Sequence, residues 1–532
     1  MAEVYEGIKL LDEKVIMETE NNGVVEICDE IRIEKIVKNI DLNDIKSSIK
    51  FKTFYNTYEE IIVSRADYMN PNNLLKLQNC GMDVRIDNTK QIVCHLTNEE
   101  RKAPIEYIHS KLGFSKYEGK EIYKHYKAIG IESIYQGSYL VKPKGNKEQV
   151  EHLIKEDILT YTPAKFILLA SLASVTISYL SEVIDTNVIL INLFGNSTTG
   201  KSTICKFAVS LFGYPGIKEN GLFFTYNATD NAIMKRMEGI YGLSFAIDEL
   251  SMSDSKKKNL VYKFYGGKNK YRLNQDSSQQ ENDGWLGSIF TNGEKSLLKS
   301  SSKNVGIQLR VIEMANVEWT KSAEYAEKIN EVIMNNYGHI GPMFAEFIMS
   351  KDKEQLKNKY NKSVEYLMRM FDKKSVKDNF TKRRVANYAM IHLTGKLFSE
   401  MFNLDIDLKD IVKMFIEIEK ESIKNRNFED SAFEYVKSYV TKHINKFETE
   451  SNKVKGEVWG YINNKKDYVE VEINPLKFDE MLKEGGYEDK DVVLKEFKKN
   501  GILNCDKDRY TRKRKHGSLG KILMIVIKIN NE

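Results

Sequence analysis

Hydrophobic and polar positions change their rhythm along the chain, and the changes divide it into four stretches. Residues 1–150 mix short strand-like runs with helical patterns. The strand candidates there are VVEICDEIRI, SIKFKTFY, QIVCHL and GSYLVKP. Over 151–320, apolar runs of strand length alternate with segments of helical periodicity. They predict a helix at 163–182, a strand at 188–194, helices at 200–212 and 229–238, and strands at 243–248 and 286–291. Alternation of this kind implies a mostly parallel sheet covered by helices. Residues 321–428 repeat apolar positions three and four apart, as in Val385, Tyr388, Ala389, Leu393 and Leu397, and read as helical throughout. From 429 to 532 a helix leads into a strand, two helices and two further strands. The expected fold class is multidomain α/β, with a mixed α+β region at the N-terminus.

Composition narrows the setting without changing this picture. A chain of 532 residues is too long for one core, while 41% hydrophobic and 30% charged residues are ordinary for globular protein. A net charge of +5, from 81 basic and 76 acidic residues, does not by itself announce nucleic acid. The five cysteines, at 28, 80, 94, 205 and 505, are scattered and contain no Cys-x-x-Cys pair. Neither a disulfide framework nor a zinc site follows, and a reducing cytoplasm is the simpler expectation. The acidic N-terminus lacks the pattern of a signal peptide. The most apolar stretch, residues 166–180, is too short to cross a bilayer and is expected to be a buried helix, with no membrane partner.

Candidate chemistry begins where the strand at 188–194 feeds the next helix. Gly195-Asn196-Ser197-Thr198-Thr199-Gly200-Lys201-Ser202, followed by Thr203, is a full match to G-x-x-x-x-G-K-[ST]. The glycines allow a tight turn whose N–H groups point at phosphate oxygens. Lys201 supplies a point charge to the β- and γ-phosphates, and the Ser202 hydroxyl is a ligand for Mg²⁺. The following helix adds the positive end of its dipole. ATP with Mg²⁺ is the expected ligand.

Hydrolysis needs a carboxylate for the metal and a group that activates water. The apolar run 243–247 ends in Asp248-Glu249, with Asp248 suited to Mg²⁺ and Glu249 to the general base. A further strand ends in Thr291-Asn292, and Asn292 would orient the attacking water. Arg310 interrupts an apolar, strand-like segment. As a structural residue it would pair with Glu313 or Glu318; as a functional one it would be an arginine finger reaching a neighbouring subunit's ATP.

The last region carries a different signal. Asn474-Pro475 reads as a helix cap with proline at the first position, and Gly485-Gly486 closes that helix. A second helix over 489–500 would turn Val493, Leu494 and Phe497 inward and leave Lys495, Lys498 and Lys499 outward. Two strands would flank the basic run containing Arg509, Arg512, Lys513, Arg514 and Lys515. Helix, helix and basic ribbon suggest a winged helix-turn-helix that binds duplex DNA.

Together, the P-loop, the Asp-Glu strand, the Asn-ended strand and the arginine resemble an AAA+ ATPase. The segments TYNATDNAIMKRM, Asp248-Glu249-Leu250-Ser251, Tyr265-Gly-Gly-Lys268-Asn-Lys270-Tyr271-Arg272, Trp285, Asn292-Gly293-Glu294 and Gln308-Leu-Arg310 resemble self-loading replication initiator helicases of mobile genetic elements. That group includes pathogenicity-island Rep initiators and cassette-chromosome helicases, with an ATPase core like that of the minichromosome-maintenance helicases. The likeness covers about 150–320 well, the C-terminal region moderately and the N-terminal region weakly. It implies a homohexameric ring that recognises a replication origin, unwinds duplex and moves on single-stranded DNA. Arg310 would then act in trans. Residues 268–283 would form a pore hairpin, with Lys268, Lys270 and Arg272 on phosphates and Tyr271 stacking on a base. Arg383 or Arg384 would be candidates for a second sensor of the γ-phosphate. Host replication proteins are conceivable partners of residues 1–150. Two rival readings stay open: an ATP-dependent DNA-binding switch that does not unwind, and a protein-remodelling AAA+ ATPase.

Overall fold

The computed structural model describes residues 7–19, 23–42, 44–217, 220–226, 229–249, 257–267, 284–294, 296–297, 305–315, 317–426, 428–487, 489–516 and 520–530. Their buried apolar side chains fall into three clusters. One runs from Ile8 to Leu96, a second from Leu112 to Ile418, and a third from Ala432 to Ile527.

The second cluster surrounds a sheet of five parallel strands. Their spatial order is Phe223–Thr225, Phe245–Asp248, Ser288–Gly293, Ile189–Phe194 and Val311–Ala315. Strands covered on both faces lose the alternating pattern and become continuous apolar runs, as in ILINLF. Helices Thr162–Leu180, Lys201–Ser210 and Asp230–Met237 fall within two residues of the expected bounds. The last expected strand is divided into Trp285–Leu286 and Ser288–Gly293, which belong to different sheets.

Helix Thr162–Leu180 is long and apolar enough to cross a membrane, yet nearly all of it is buried inside the protein. Its hydroxyls are satisfied by the elements on either side. Ser171 donates to the Ala208 carbonyl at 2.6 Å, Ser178 donates to the Leu286 carbonyl at 2.9 Å, and Ser174 accepts from the Ser288 N–H at 2.9 Å. On the far side Thr176 bonds Thr394 at 2.9 Å. The helix thereby joins the sheet to the helices that follow it, Ala323–Asn335, Ile340–Met349, Lys353–Lys373, Thr381–Phe402 and Lys409–Arg426.

Two expected N-terminal strands are absent. QIVCHL lies within helix Thr89–Glu100, where Ile92, His95 and Leu96 are buried at helical spacing. The His95 ring is hydrogen-bonded to the Ile31 carbonyl at 2.7 Å. A six-residue apolar run does not distinguish the two periods, and the packing partner decides. GSYLVKP forms no ladder, because its backbone bonds go to separate partners. The Leu140 N–H donates to the Asn220 carbonyl, the Leu140 carbonyl accepts from Tyr214, and the Tyr139 N–H donates to the Tyr135 hydroxyl. The remaining N-terminal strands build a five-stranded mixed sheet and a three-stranded meander.

Strands Leu112–Tyr117 and Lys120–Lys124 pack with the central cluster through a sheet shared with Ile240–Tyr241 and Trp285–Leu286. Gly113, at φ +89°, passes so near the Tyr241 backbone that a Cβ would stand 1.6 Å from its carbonyl oxygen. No other residue fits there.

At the C-terminus helix Phe428–Lys442 precedes a five-stranded sheet and two helices, Pro475–Glu484 and Lys490–Lys499. Three short strands precede the helix pair where the pattern implied one: Phe447–Glu448, Gly460–Asn464 and Tyr468–Ile473. Asn474 caps the first helix, its side chain accepting from the Leu476 N–H at 2.9 Å. Arg512–Lys515 is itself a strand, paired antiparallel with Lys521–Asn530, and not a loop between strands.

Candidate functional site

At the end of strand Ile189–Phe194 the chain turns through residues 195–200 into helix Lys201–Ser210. Gly195 and Gly200 adopt φ of 132° and 83°, and Thr198 adopts 68°. For a threonine the left-handed region costs about 1–2 kcal/mol, so the turn is held by its surroundings. Gly200 lies against Thr320, whose Oγ1 would be 2.4 Å from an added Cβ. The Trp319 N–H donates to the Thr199 carbonyl at 2.8 Å, and Ser197 donates to Glu294 at 2.6 Å. One turn into the helix, Thr203 accepts from Asn330 at 3.2 Å.

Lys201 curls back over the turn. Its ammonium donates to the Gly195 carbonyl at 3.0 Å, to the Asn196 carbonyl and, at 3.4 Å, to the Thr199 hydroxyl. Partial burial lowers its pKa from the ordinary lysine value, against an opposing pull from Glu294. A partly buried cation at the start of a helix, beside a tight glycine-framed turn, suits a phosphate group by charge and geometry.

Sheet order then brings distant residues beside it. Strand Ser288–Gly293 lies between the P-loop strand and strand Phe245–Asp248, with Asn292 opposite Leu193. Asn292 donates to Ser202 Oγ at 3.1 Å and accepts the Glu249 backbone N–H at 2.9 Å. Ser202 in turn donates to Asp248 Oδ1 at 3.2 Å. Glu249 sits just past the strand, exposed and at φ 58°. A hydroxyl and a carboxylate at this separation are hard oxygen donors of the kind Mg²⁺ takes, so these residues fit that ion. The exposed Glu249 carboxylate beside them is available to water.

A buried polar chain under the site escaped the sequence reading. Thr291 donates to Asn192 at 2.8 Å, and Asn192 donates to Glu313 at 2.7 Å. Glu313 also accepts from the Leu297 N–H at 2.8 Å and from Ser296. The only signal was a lone asparagine within an apolar strand. Glu313 is thus engaged by Asn192, Ser296 and the Leu297 backbone.

Arg310 lies not in a strand but on the turn between helix Val305–Gln308 and strand Val311–Ala315. It donates to the Gly306 carbonyl at 2.5 Å, and its guanidinium stacks 4.8 Å from the Tyr262 ring and 5.3 Å from Tyr265. Arg384 is buried. It pairs with Glu419 at 2.6 Å and donates to the carbonyls of Gln308 and Val311 at 2.7 and 3.0 Å. That makes it an internal tie between helix and sheet; Arg383 is exposed. Lys268, Lys270, Tyr271 and Arg272, with the proposed hairpin, lie outside the described residues.

In the C-terminal region Val493, Leu494 and Phe497 are buried, and Lys495 and Lys499 face solvent. Lys498 does not point outward as expected. Its ammonium donates to the carbonyls of Asp506, Lys507 and Arg509, tying the helix to the next loop. The basic strand divides by alternation. Arg514 pairs with Glu470 and Glu472, each at 2.8 Å, and Arg512 donates to Asn504, so neither lies on an open cationic face. Arg509, Lys513 and Lys515 are exposed.

A family model described as a domain of unknown function, DUF927, matches residues 6–283, just over half the chain. The chain belongs to the DUF927 family. The DUF927 match includes the P-loop, Asp248 and Glu249, and a second model, the Cch helix turn helix domain, matches residues 427–532. The fold of this DUF927 protein is similar to a solved structure described as "SCCmec type IV Cch - active helicase". The TM-score is 0.78 at 22% identity, over 98% of this chain and 97% of that one. No curated protein matches the chain.

Proposed function

We propose that this chain is an ATP-dependent DNA helicase and replication initiator, working as a homohexameric ring. The observation that carries the reading is the meeting of Ser202, Asp248, Asn292 and the Glu249 backbone within 3.2 Å beside the P-loop. The five-stranded order, with the Asn292 strand between the other two, supports an AAA+ core over 151–320, followed by a helical region over 321–428. The likeness to a helicase fold and the helix-turn-helix match support a target in DNA.

In this reading the backbone of 195–200 and Lys201 bind the triphosphate, and Ser202 and Asp248 hold Mg²⁺. The metal would supply charge neutralisation at the transferred phosphoryl group. Glu249 takes a proton from the attacking water as Asn292 keeps the Glu249 backbone and Ser202 in register. Arg310 serves the neighbouring subunit. The exposed cations of 429–532 hold duplex as a winged helix-turn-helix, and the residues from Ile8 to Leu96 pack around a core of their own, while those from Leu112 on pack with the ATPase core.

Purified protein on forked duplex tests the reading. ATP-dependent strand displacement is expected, lost together with ATP turnover in Lys201→Ala and in Glu249→Gln. Undiminished ATPase activity in both variants would overturn the site. Turnover without strand displacement would leave a DNA-binding switch.

A further inference from the structure

We infer that Glu294 is a specificity-determining residue that competes with the γ-phosphate for the tip of the P-loop, and so sets the balance between nucleoside triphosphate and diphosphate. The inference deepens the ATP reading above and rests on it.

Glu294 is the first residue past strand Ser288–Gly293, which runs beside the P-loop strand as far as the pair Phe194 and Gly293. The Gly195 N–H donates to the Gly293 carbonyl at 3.3 Å, so the two strand ends stay together where the chain enters the P-loop turn. From there the Glu294 carboxylate accepts the Ser197 hydroxyl at 2.6 Å, across 97 residues of sequence. The metal-binding hydroxyl of the reading above, Ser202, is paired with Asp248 instead.

The same carboxylate acts on Lys201. That ammonium closes on the carbonyls of Gly195 and Asn196, the residues that lead into Ser197. Burial lowers the Lys201 pKa, and Glu294 is the charged group that opposes this most, ahead of Glu318. A P-loop lysine is the group that reaches the β- and γ-phosphates. A carboxylate bonded to the loop tip and felt by that lysine therefore stands where the charge of a terminal phosphate would come.

Two anions on one hydroxyl and one cation repel each other. At a protein surface the repulsion between charges a few ångströms apart is reduced by solvent and salt without being abolished. It falls on the γ-phosphate, and a diphosphate lacks that group. The Ser197–Glu294 bond is exposed, so it exchanges readily for a bond to phosphate. On the same strand end Asn292 holds the Glu249 backbone. A terminal phosphate that displaces Glu294 thus acts on the segment that positions the proposed base.

The test measures equilibrium binding of fluorescent ADP to the full chain at fixed Mg²⁺, and of ATPγS by its displacement. Position 294 is exposed, so Glu294→Gln and Glu294→Lys remove and reverse the charge without disturbing the core. ATPγS affinity should rise about tenfold in Glu294→Gln and further in Glu294→Lys, with ADP affinity changed less than about threefold. Weaker ATPγS binding by Glu294→Gln, as loss of a metal ligand would give, would overturn the inference alone. Equal shifts for the two nucleotides would do the same. A parent protein that binds neither nucleotide would overturn the ATP reading with it.

Discussion

Asn292 holds Glu249 by its backbone: the amide oxygen accepts the Glu249 N–H at 2.9 Å, and its NH₂ reaches Ser202 at 3.1 Å. One side chain thus fixes the strained residue at φ 58° and the helix that follows the P-loop. Asn292→Ala is expected to lower kcat about 10²-fold with KM little changed, since it removes positioning and not phosphate contacts. Asn292→Asp keeps the acceptor toward Glu249 and should recover part of the loss. Steady-state ATPase assays check both, and equal damage in the two variants would argue against positioning through Glu249.

For Arg310, two roles predict different outcomes. Stacked on Tyr262 and Tyr265, it makes a cation–π contact of about 0.5–2 kcal/mol. As a finger in trans, Arg310→Ala should reduce ATP turnover about 10³-fold or more. Mixing those subunits with Lys201→Ala subunits should restore part of the activity, because some interfaces regain both groups. A mixture as inactive as its components would assign Arg310 to its own subunit.

Arg384 and Glu419 are both buried, so losing one partner strands a charge. Arg384→Met should destabilise the central cluster by about 3–5 kcal/mol, and Arg384→Met/Glu419→Leu by less. Denaturant unfolding followed by tryptophan fluorescence checks this through the buried Trp319. A normally stable Arg384→Met protein with impaired ATP turnover would return the residue to a sensor role.

On the basic strand, alternation separates phosphate contacts from structural ones. Lys513→Ala/Lys515→Ala should weaken duplex binding and lower its salt slope by about 1.8, at about 0.9 per phosphate. Arg514→Ala should instead loosen the sheet, because it leaves Glu470 and Glu472 buried with less cationic support. Salt-dependent anisotropy and thermal unfolding of the full chain distinguish the two.

Local patterns carried the central fold a long way. The helices at 162–180, 201–210 and 230–237 follow from periodicity, whereas the short strands Phe223–Thr225 and Ile240–Tyr241 were not expected, and the Asn474-Pro475 cap follows from two residues. QIVCHL failed because six apolar positions fit either period, and GSYLVKP failed because its backbone bonds run to residues far along the chain. Lys498, Arg512 and Arg514 carried a basic signal, but whether a cation faces solvent depends on carbonyls and carboxylates contributed by other segments.

By itself the sequence determined the P-loop, because a glycine-framed turn followed by Lys201 and Ser202 is a local matter of backbone freedom and spacing. It also marked Asp248, Glu249 and Asn292 as ends of apolar strands. Only the tertiary structure decided that those ends meet. The parallel sheet sets strand Ser288–Gly293 between the other two, so residues 46 to 90 positions from Ser202 come within 3.2 Å of it. Parallel pairing is set by long crossovers and by the burial of both sheet faces, neither of which a window of sequence contains.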